Sequence, residues 1–148
     1  MLADRIRTGL PIGLIGGAAT AGALMGLGLR HRAATLPFEL GGRSLLASWR
    51  IASPPDTVAL VAGIVAHLVW MLLWGLCFSV AASRLRGTTL AAGALLFVLF
   101  LGALAATVVP GALGAVAFAA LTSAQSAFFL LLLAGAFIAG VVLTRTDS

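Results

Sequence analysis

An all-helical integral membrane protein is what this sequence predicts: a bundle of four transmembrane helices, with a short interfacial helix between the first and the second. Three observations carry the prediction. Hydrophobic residues fill 61% of the 148 positions and charged residues only 9%, where an ordinary soluble domain is about a quarter charged. A soluble fold cannot hide that much apolar surface. The charges cluster between long uncharged stretches, the pattern left by the cost of placing a charge in hydrocarbon. Three of those stretches, 8–29, 57–83 and 87–144, are long enough to cross a core of roughly 30 Å at about 1.5 Å per residue, and the last is long enough to cross twice. The whole chain, 1–148, reads as one membrane domain.

The first span is placed at 9–29, Gly9 to Leu29, after Arg5 and Arg7 and before Arg30. That start also looks like a signal peptide, with Ala21 and Ala23 near a small-residue cleavage site. The apolar run continues to Leu29, so an uncleaved helix is expected. Arg30 to Ser53 is the longest polar connection. Within 38–50, Phe38, Leu45, Leu46 and Trp49 share one helical face and Glu39, Arg43 and Arg50 another, the pattern of a helix lying in the membrane interface. Glu39 and Arg43 are spaced to pair, while Gly41 and Gly42 weaken any helix placed there.

Ser53, Pro54, Pro55 and Asp56 read as a helix start, with Ser53 as N-cap and proline at the first helical position. The second span is placed at 57–83. Arg84, Leu85, Arg86 and Gly87 form a tight basic turn, Thr88 caps the next helix, and the third span, 89–109, ends where Pro110 and Gly111 break it. Spans two and three thus form a helical hairpin. The fourth span is placed at 118–143, its start blurred by the polar cluster Thr122, Ser123, Gln125 and Ser126.

Four spans put both termini on one side. That side carries Arg5, Arg7, Arg84, Arg86 and Arg145, against Arg30, Arg32, Arg43 and Arg50 opposite. The excess of arginine favours cytoplasmic termini. All nine basic residues are arginine, a bias of GC-rich bacterial genomes, so a bacterial inner membrane is the expected location. The net charge of +5 lies beside the apolar stretches and suits anionic lipid headgroups. No basic patch with interleaved aromatics points to nucleic acid. The single cysteine, Cys77, lies inside an apolar run, which excludes an internal disulfide and a cysteine-based metal cluster.

Gly9, Gly13 and Gly17 recur at four-residue spacing in the first span, and Gly22 and Gly26 continue the pattern on a neighbouring stripe. Such stripes let helix backbones approach closely, which in lipid replaces the hydrophobic drive of soluble helices. They serve either packing within the chain or docking on other membrane subunits.

His67, near the middle of the second span, is the most informative residue, because an ionisable group there is costly and by default functional. Gly63, Trp70, Met71 and Trp74 share its face. The stretch Gly63, Ile64, Val65, Ala66, His67, Leu68, Val69, Trp70 resembles the pigment-binding helix of bacterial antenna polypeptides, in which a small residue four positions before the histidine admits a bacteriochlorophyll. The resemblance is confined to that stretch, and four spans depart from the single-span antenna pattern. It implies a tetrapyrrole, bacteriochlorophyll or haem, ligated through His67. The alternative is a neutral imidazole bonded to a neighbouring helix, with Thr122, Gln125 or Ser126 as candidate partners. Those three polar residues could instead line a hydrated path in a small channel or transporter.

No Asp, Glu, Lys or Arg falls inside a predicted span, so the buried carboxylate of a proton-coupled exporter is missing. No nucleophile has a base at usable spacing, and no paired acids, metal-ligand cluster or phosphate loop is present in the sequence. The expectation is therefore a non-catalytic, multi-pass protein serving as an accessory or stabilising subunit of a larger membrane complex. Tetrapyrrole binding at His67 is the competing reading.

Overall fold

A computed structural model describes residues 2–113 and 123–146 of the chain. These form α1 (Leu2–Arg30), α2 (Leu36–Ser48), α3 (Asp56–Ala81), a 3-10 turn (Ala82–Arg84), α4 (Gly87–Leu113) and α5 (Ser123–Thr146), with no strand among the described residues. Four of the helices are long and apolar enough to cross a membrane, over Ile6–Arg30, Asp56–Arg84, Gly87–Leu104 and Ser123–Arg145.

The helices outrun several expected boundaries. α1 starts seven residues before Gly9 and runs through Pro11, although proline gives up one backbone bond and crowds the preceding turn. α4 likewise does not stop at Val109 but continues through Pro110 and Gly111 to Leu113. In apolar surroundings, keeping the remaining backbone groups paired outweighs the one bond that proline removes. Phe118, the expected start of the fourth span, lies outside the described residues.

Two expected caps are corrected. Ser53 does not cap α3; it sits at φ +52°, and Pro55 is the N-cap at φ −55°, ψ 148°. A residue that precedes proline is pushed out of the helical region, so Pro54 cannot begin the helix and Asp56 does. At the start of α4 it is Thr89, not Thr88, that closes the turn. Its hydroxyl oxygen accepts from the Arg86 N–H at 3.2 Å, and its hydroxyl lies 2.7 Å from the Arg86 carbonyl.

α1 and α2 end alike. After α1, the Arg32 N–H donates to the Leu29 carbonyl and the Ala33 N–H to the Gly28 carbonyl; after α2, Arg50 donates to Ala47 and Ile51 to Leu46. Both are Schellman closures, and both put an arginine at the left-handed position, Arg32 at φ 59° and Arg50 at φ 63°. Glycine is the usual residue there, because a Cβ costs about 1–2 kcal/mol in that conformation. At the other end of the bundle the chain does use glycine, at Gly87, φ 52°.

Packing follows the small residues. α1 runs antiparallel to α3, and a Cβ added at Gly75 would fall on the backbone of Gly13 and Gly9, while one at Gly13 would lie 2.7 Å from Leu72 Cα. α1 also meets α5, where a Cβ at Gly140 would lie 2.9 Å from Ile12 Cα. α2 packs antiparallel on the first half of α3, with Gly42 against Ala59 and Gly63 against the Phe38 carbonyl. Phe38, Gly42 and Leu46 form its buried face. The glycine expected to weaken α2 is what seats it. Trp49, assigned to the same face from the sequence, is 65% exposed.

α3 and α4 are joined by a tight turn but meet through large side chains. Trp74 and Phe78 of α3 contact Phe97 of α4, with ring centroids 5.8 and 5.1 Å apart, and Phe78 stacks on Phe137 of α5 at 5.1 Å. Trp70 and Trp74 are thus packing residues, 5.4 Å apart edge to face. Ile12, Phe78, Val98 and Phe137 are fully buried. Arg145, in the last turn of α5, donates to the Ala82 and Leu85 carbonyls at 2.7 and 2.8 Å. That clamp holds the end of α5 to the α3–α4 turn and gives a second donor to the Ala82 carbonyl, which already accepts from the Leu85 N–H.

Candidate functional site

His67 and Thr20 are the polar centre of the α1–α3 crossing. Glycines bring the two backbones together, and the imidazole Nε2 then lies 3.2 Å from the Gly17 carbonyl and 3.1 Å from Thr20 Oγ1. A carbonyl can only accept, so Nε2 carries the proton and donates. The Thr20 hydroxyl donates to the Gly16 carbonyl at 2.8 Å, leaving its oxygen free to accept from the ring. Thr20 is 1% exposed, and a buried hydroxyl with both roles filled carries no desolvation debt. The partners of His67 are therefore on α1. Of the partners expected from the sequence, Gln125 and Ser126 are half-buried in the first turn of α5 and Nε2 is bonded to α1 instead; Thr122 lies outside the described residues.

The surroundings of His67 do not fit a tetrapyrrole cradle. The space beside Gly63, where a macrocycle would approach, is filled by α2: a Cβ there would run into the Phe38 carbonyl and the Gly42 nitrogen. The Phe38 ring stands edge-on to the imidazole, with centroids 5.5 Å apart and planes at 79°. Nε2 is committed to two protein acceptors. The small residue four positions before the histidine is thus where α2 crosses α3.

The glycine stripe divides in two. Gly9, Gly13 and Gly17 face α3; a Cβ at Gly9 would lie 2.8 Å from Leu76 Cα and one at Gly17 3.4 Å from Met71 Cβ. Gly22 and Gly26 face none of the described residues, with no atom of these within 4 Å of a Cβ added at either.

The expected Glu39–Arg43 pair is not formed. Arg43 instead pairs with Asp56 and donates to the Pro54 carbonyl at 3.3 Å, tying α2 to the start of α3. Glu39 accepts from the Thr35 hydroxyl at 2.5 Å. Both are better placed than a pair across Gly41 and Gly42, because each closes a loop end.

Beside His67 lies an open groove of about 960 Å³. α2 and α3 form its long walls, and Leu101 and Gly102 of α4 with Leu130 and Leu133 of α5 close its far side. It runs from Thr20 and His67 to Trp49 and Thr57 near the arginine-bearing end.

Sequence reasoning missed Thr20, Gly75, Arg145 and the groove. Thr20 had a signal, as the one polar side chain between Gly9 and Leu29. No protein-family model, curated protein or solved structure matches the chain.

Proposed function

We propose that this chain is a multi-pass protein of a bacterial inner membrane, crossing four times with both termini in the cytoplasm, α2 at the opposite face, and no catalytic role. It serves as an accessory or stabilising subunit of a larger membrane complex. The observation that carries this reading is the commitment of His67, the one ionisable group midway along an apolar helix, to Gly17 and Thr20 of the neighbouring helix. A group that would mark chemistry or passage is spent on holding α1 to α3. The uncovered half of α1 beyond Thr20, with Gly22, Met25, Gly26 and Leu29 outward, is where a partner helix would approach closely.

The test is extraction from the native membrane in mild detergent, with an absorption spectrum and mass-spectrometric identification of what copurifies. The expected result is a colourless sample with stoichiometric membrane subunits, which are lost in Gly22→Leu while the chain itself stays monodisperse. A lone monomer would overturn the accessory role. A pigment or haem band lost in His67→Ala would overturn the structural role of the histidine.

A further inference from the structure

The end of the molecule that carries α2 combines three features that the packing of the helices does not need. The first is the groove, apolar along its walls and reaching from the level of His67 out to Trp49 and Thr57. The second is charge. Arg30, Arg32, Arg43 and Arg50 face only Glu39 and Asp56 at that end, and Asp56 is taken by Arg43. Arg50 does not line the groove, but it is exposed and follows the groove-lining Trp49 in the chain, which leaves a cation next to that end. The third is conformational. Arg50 closes α2 from a left-handed position that glycine suits better, so the helix end does not itself call for arginine.

We propose that the groove is a binding site for one anionic phospholipid, with its acyl chains between α2 and the α4–α5 wall and its phosphate at the Arg50 guanidinium. An open, apolar trough with a tryptophan and an unpaired arginine at one end matches the order of groups along such a lipid: hydrocarbon, interfacial carbonyls, phosphate. Arginine binds phosphate through a planar fork of donors. The volume lies at the upper end of the range for small-ligand pockets, about 300–1,000 Å³. Gly41 lines the groove with nothing within 4 Å of an added Cβ, so no described residue takes up the space there. The inference rests on the membrane reading above and not on the accessory role; a chain released from membranes without detergent would overturn that reading before any lipid is tested.

Native mass spectrometry of the full chain, delipidated and incubated with phosphatidylglycerol or phosphatidylcholine, tests the site. One phospholipid is expected to be retained, with phosphatidylglycerol favoured about fivefold, as one arginine near an anionic headgroup allows. Arg50→Gly is the discriminating variant. It relieves the left-handed strain, so the melting temperature holds or rises, while the preference between the two lipids disappears. A merely structural arginine would show no change in lipid preference. Gly41→Leu fills the groove and lowers retention of both lipids, and Gly22→Leu, on the uncovered face of α1, changes neither. Should Gly41→Leu yield no monodisperse protein, Val61→Trp fills the groove from the α3 wall. Equal retention of the two lipids by the parent chain, unchanged retention in the groove-filling variants, or a second copy of the chain in place of lipid would each overturn the proposal.

Discussion

Two crossings in this molecule are held in opposite ways. Where α1 meets α3, the contact is backbone on backbone, with Gly9 and Gly13 against Gly75 and no side chain between them. Where α3, α4 and α5 converge, Phe78, Phe97 and Phe137 fill the space and hold the backbones apart. Hydrocarbon tails are as apolar as leucine, so neither contact gains much from leaving the solvent, and both depend on packing. The difference lies in what else each can hold. Only a crossing stripped of side chains lets His67 reach a backbone carbonyl on another helix. The aromatic crossing, with its helix axes further apart, supports no comparable bond among the described residues, and its polar link is the Arg145 clamp at the end of the bundle. Close approach is what creates the polar site.

The comparison breaks most severely at Gly75. Gly75→Val puts atoms onto the backbone of Gly13 and Gly9, which cannot give as a flexible side chain would. The α1–α3 pair is expected to separate, at a cost beyond the usual 1–3 kcal/mol of overpacking. Size-exclusion profiles in detergent should show aggregate, and a monodisperse variant with an unchanged melting temperature would mean that the crossing is looser than described. Gly22→Val, on the same helix as Gly13 but with no described atom within 4 Å of an added Cβ, is the matched control and should shift stability by less than about 0.5 kcal/mol.

At the aromatic crossing the expected loss is smaller and of a different kind. Phe137→Ala removes a fully buried ring that touches both Phe78 and Phe97. Deleting such a ring costs about 3–5 kcal/mol in a soluble core, through transfer and cavity terms together. In lipid the transfer term shrinks, leaving mainly the lost contacts, about 2 kcal/mol. The variant should therefore still fold, with a lower melting temperature that Phe137→Leu largely restores. Failure of Phe137→Leu to restore it would show that ring stacking, rather than volume, holds this crossing.

The two crossings were unequally legible. Long uncharged runs bounded by charged residues located the first two long helices, because length and the cost of buried charge act locally in the sequence. The third and fourth share one uncharged run, 87–144, and were divided at Pro110 and Gly111. The spacing of Gly9, Gly13 and Gly17 marked one side of the α1–α3 crossing. Gly75 was not marked, because a single glycine in an apolar run has no period. Nor could the sequence show that α2 returns to Gly63, with Phe38 and Gly42 against it. The termini of the helices misled for local reasons, since Pro54 excludes itself from α3 while Pro110 does not end α4. Within the candidate site, His67 was found from its cost alone and Thr20 was overlooked.

The smallest expected effect is also the one that decides what His67 is for. Thr20→Val removes the hydroxyl at nearly constant shape, and His67→Phe keeps a ring for the edge-on contact with Phe38 while removing both ring nitrogens. Hydrogen bonds between helices in lipid average about 0.6 kcal/mol in double-mutant cycles and reach about 1.7. A coupling within that range, read from reversible unfolding in detergent, is expected between the two positions. Thr20→Val alone should cost less than His67→Phe, because the imidazole keeps Gly17 as an acceptor. Zero coupling would mean that Thr20 and His67 do not meet. A stability cost confined to His67→Phe, with activity of the surrounding complex lost in both variants, would move the pair from holding α1 on α3 to a part in chemistry.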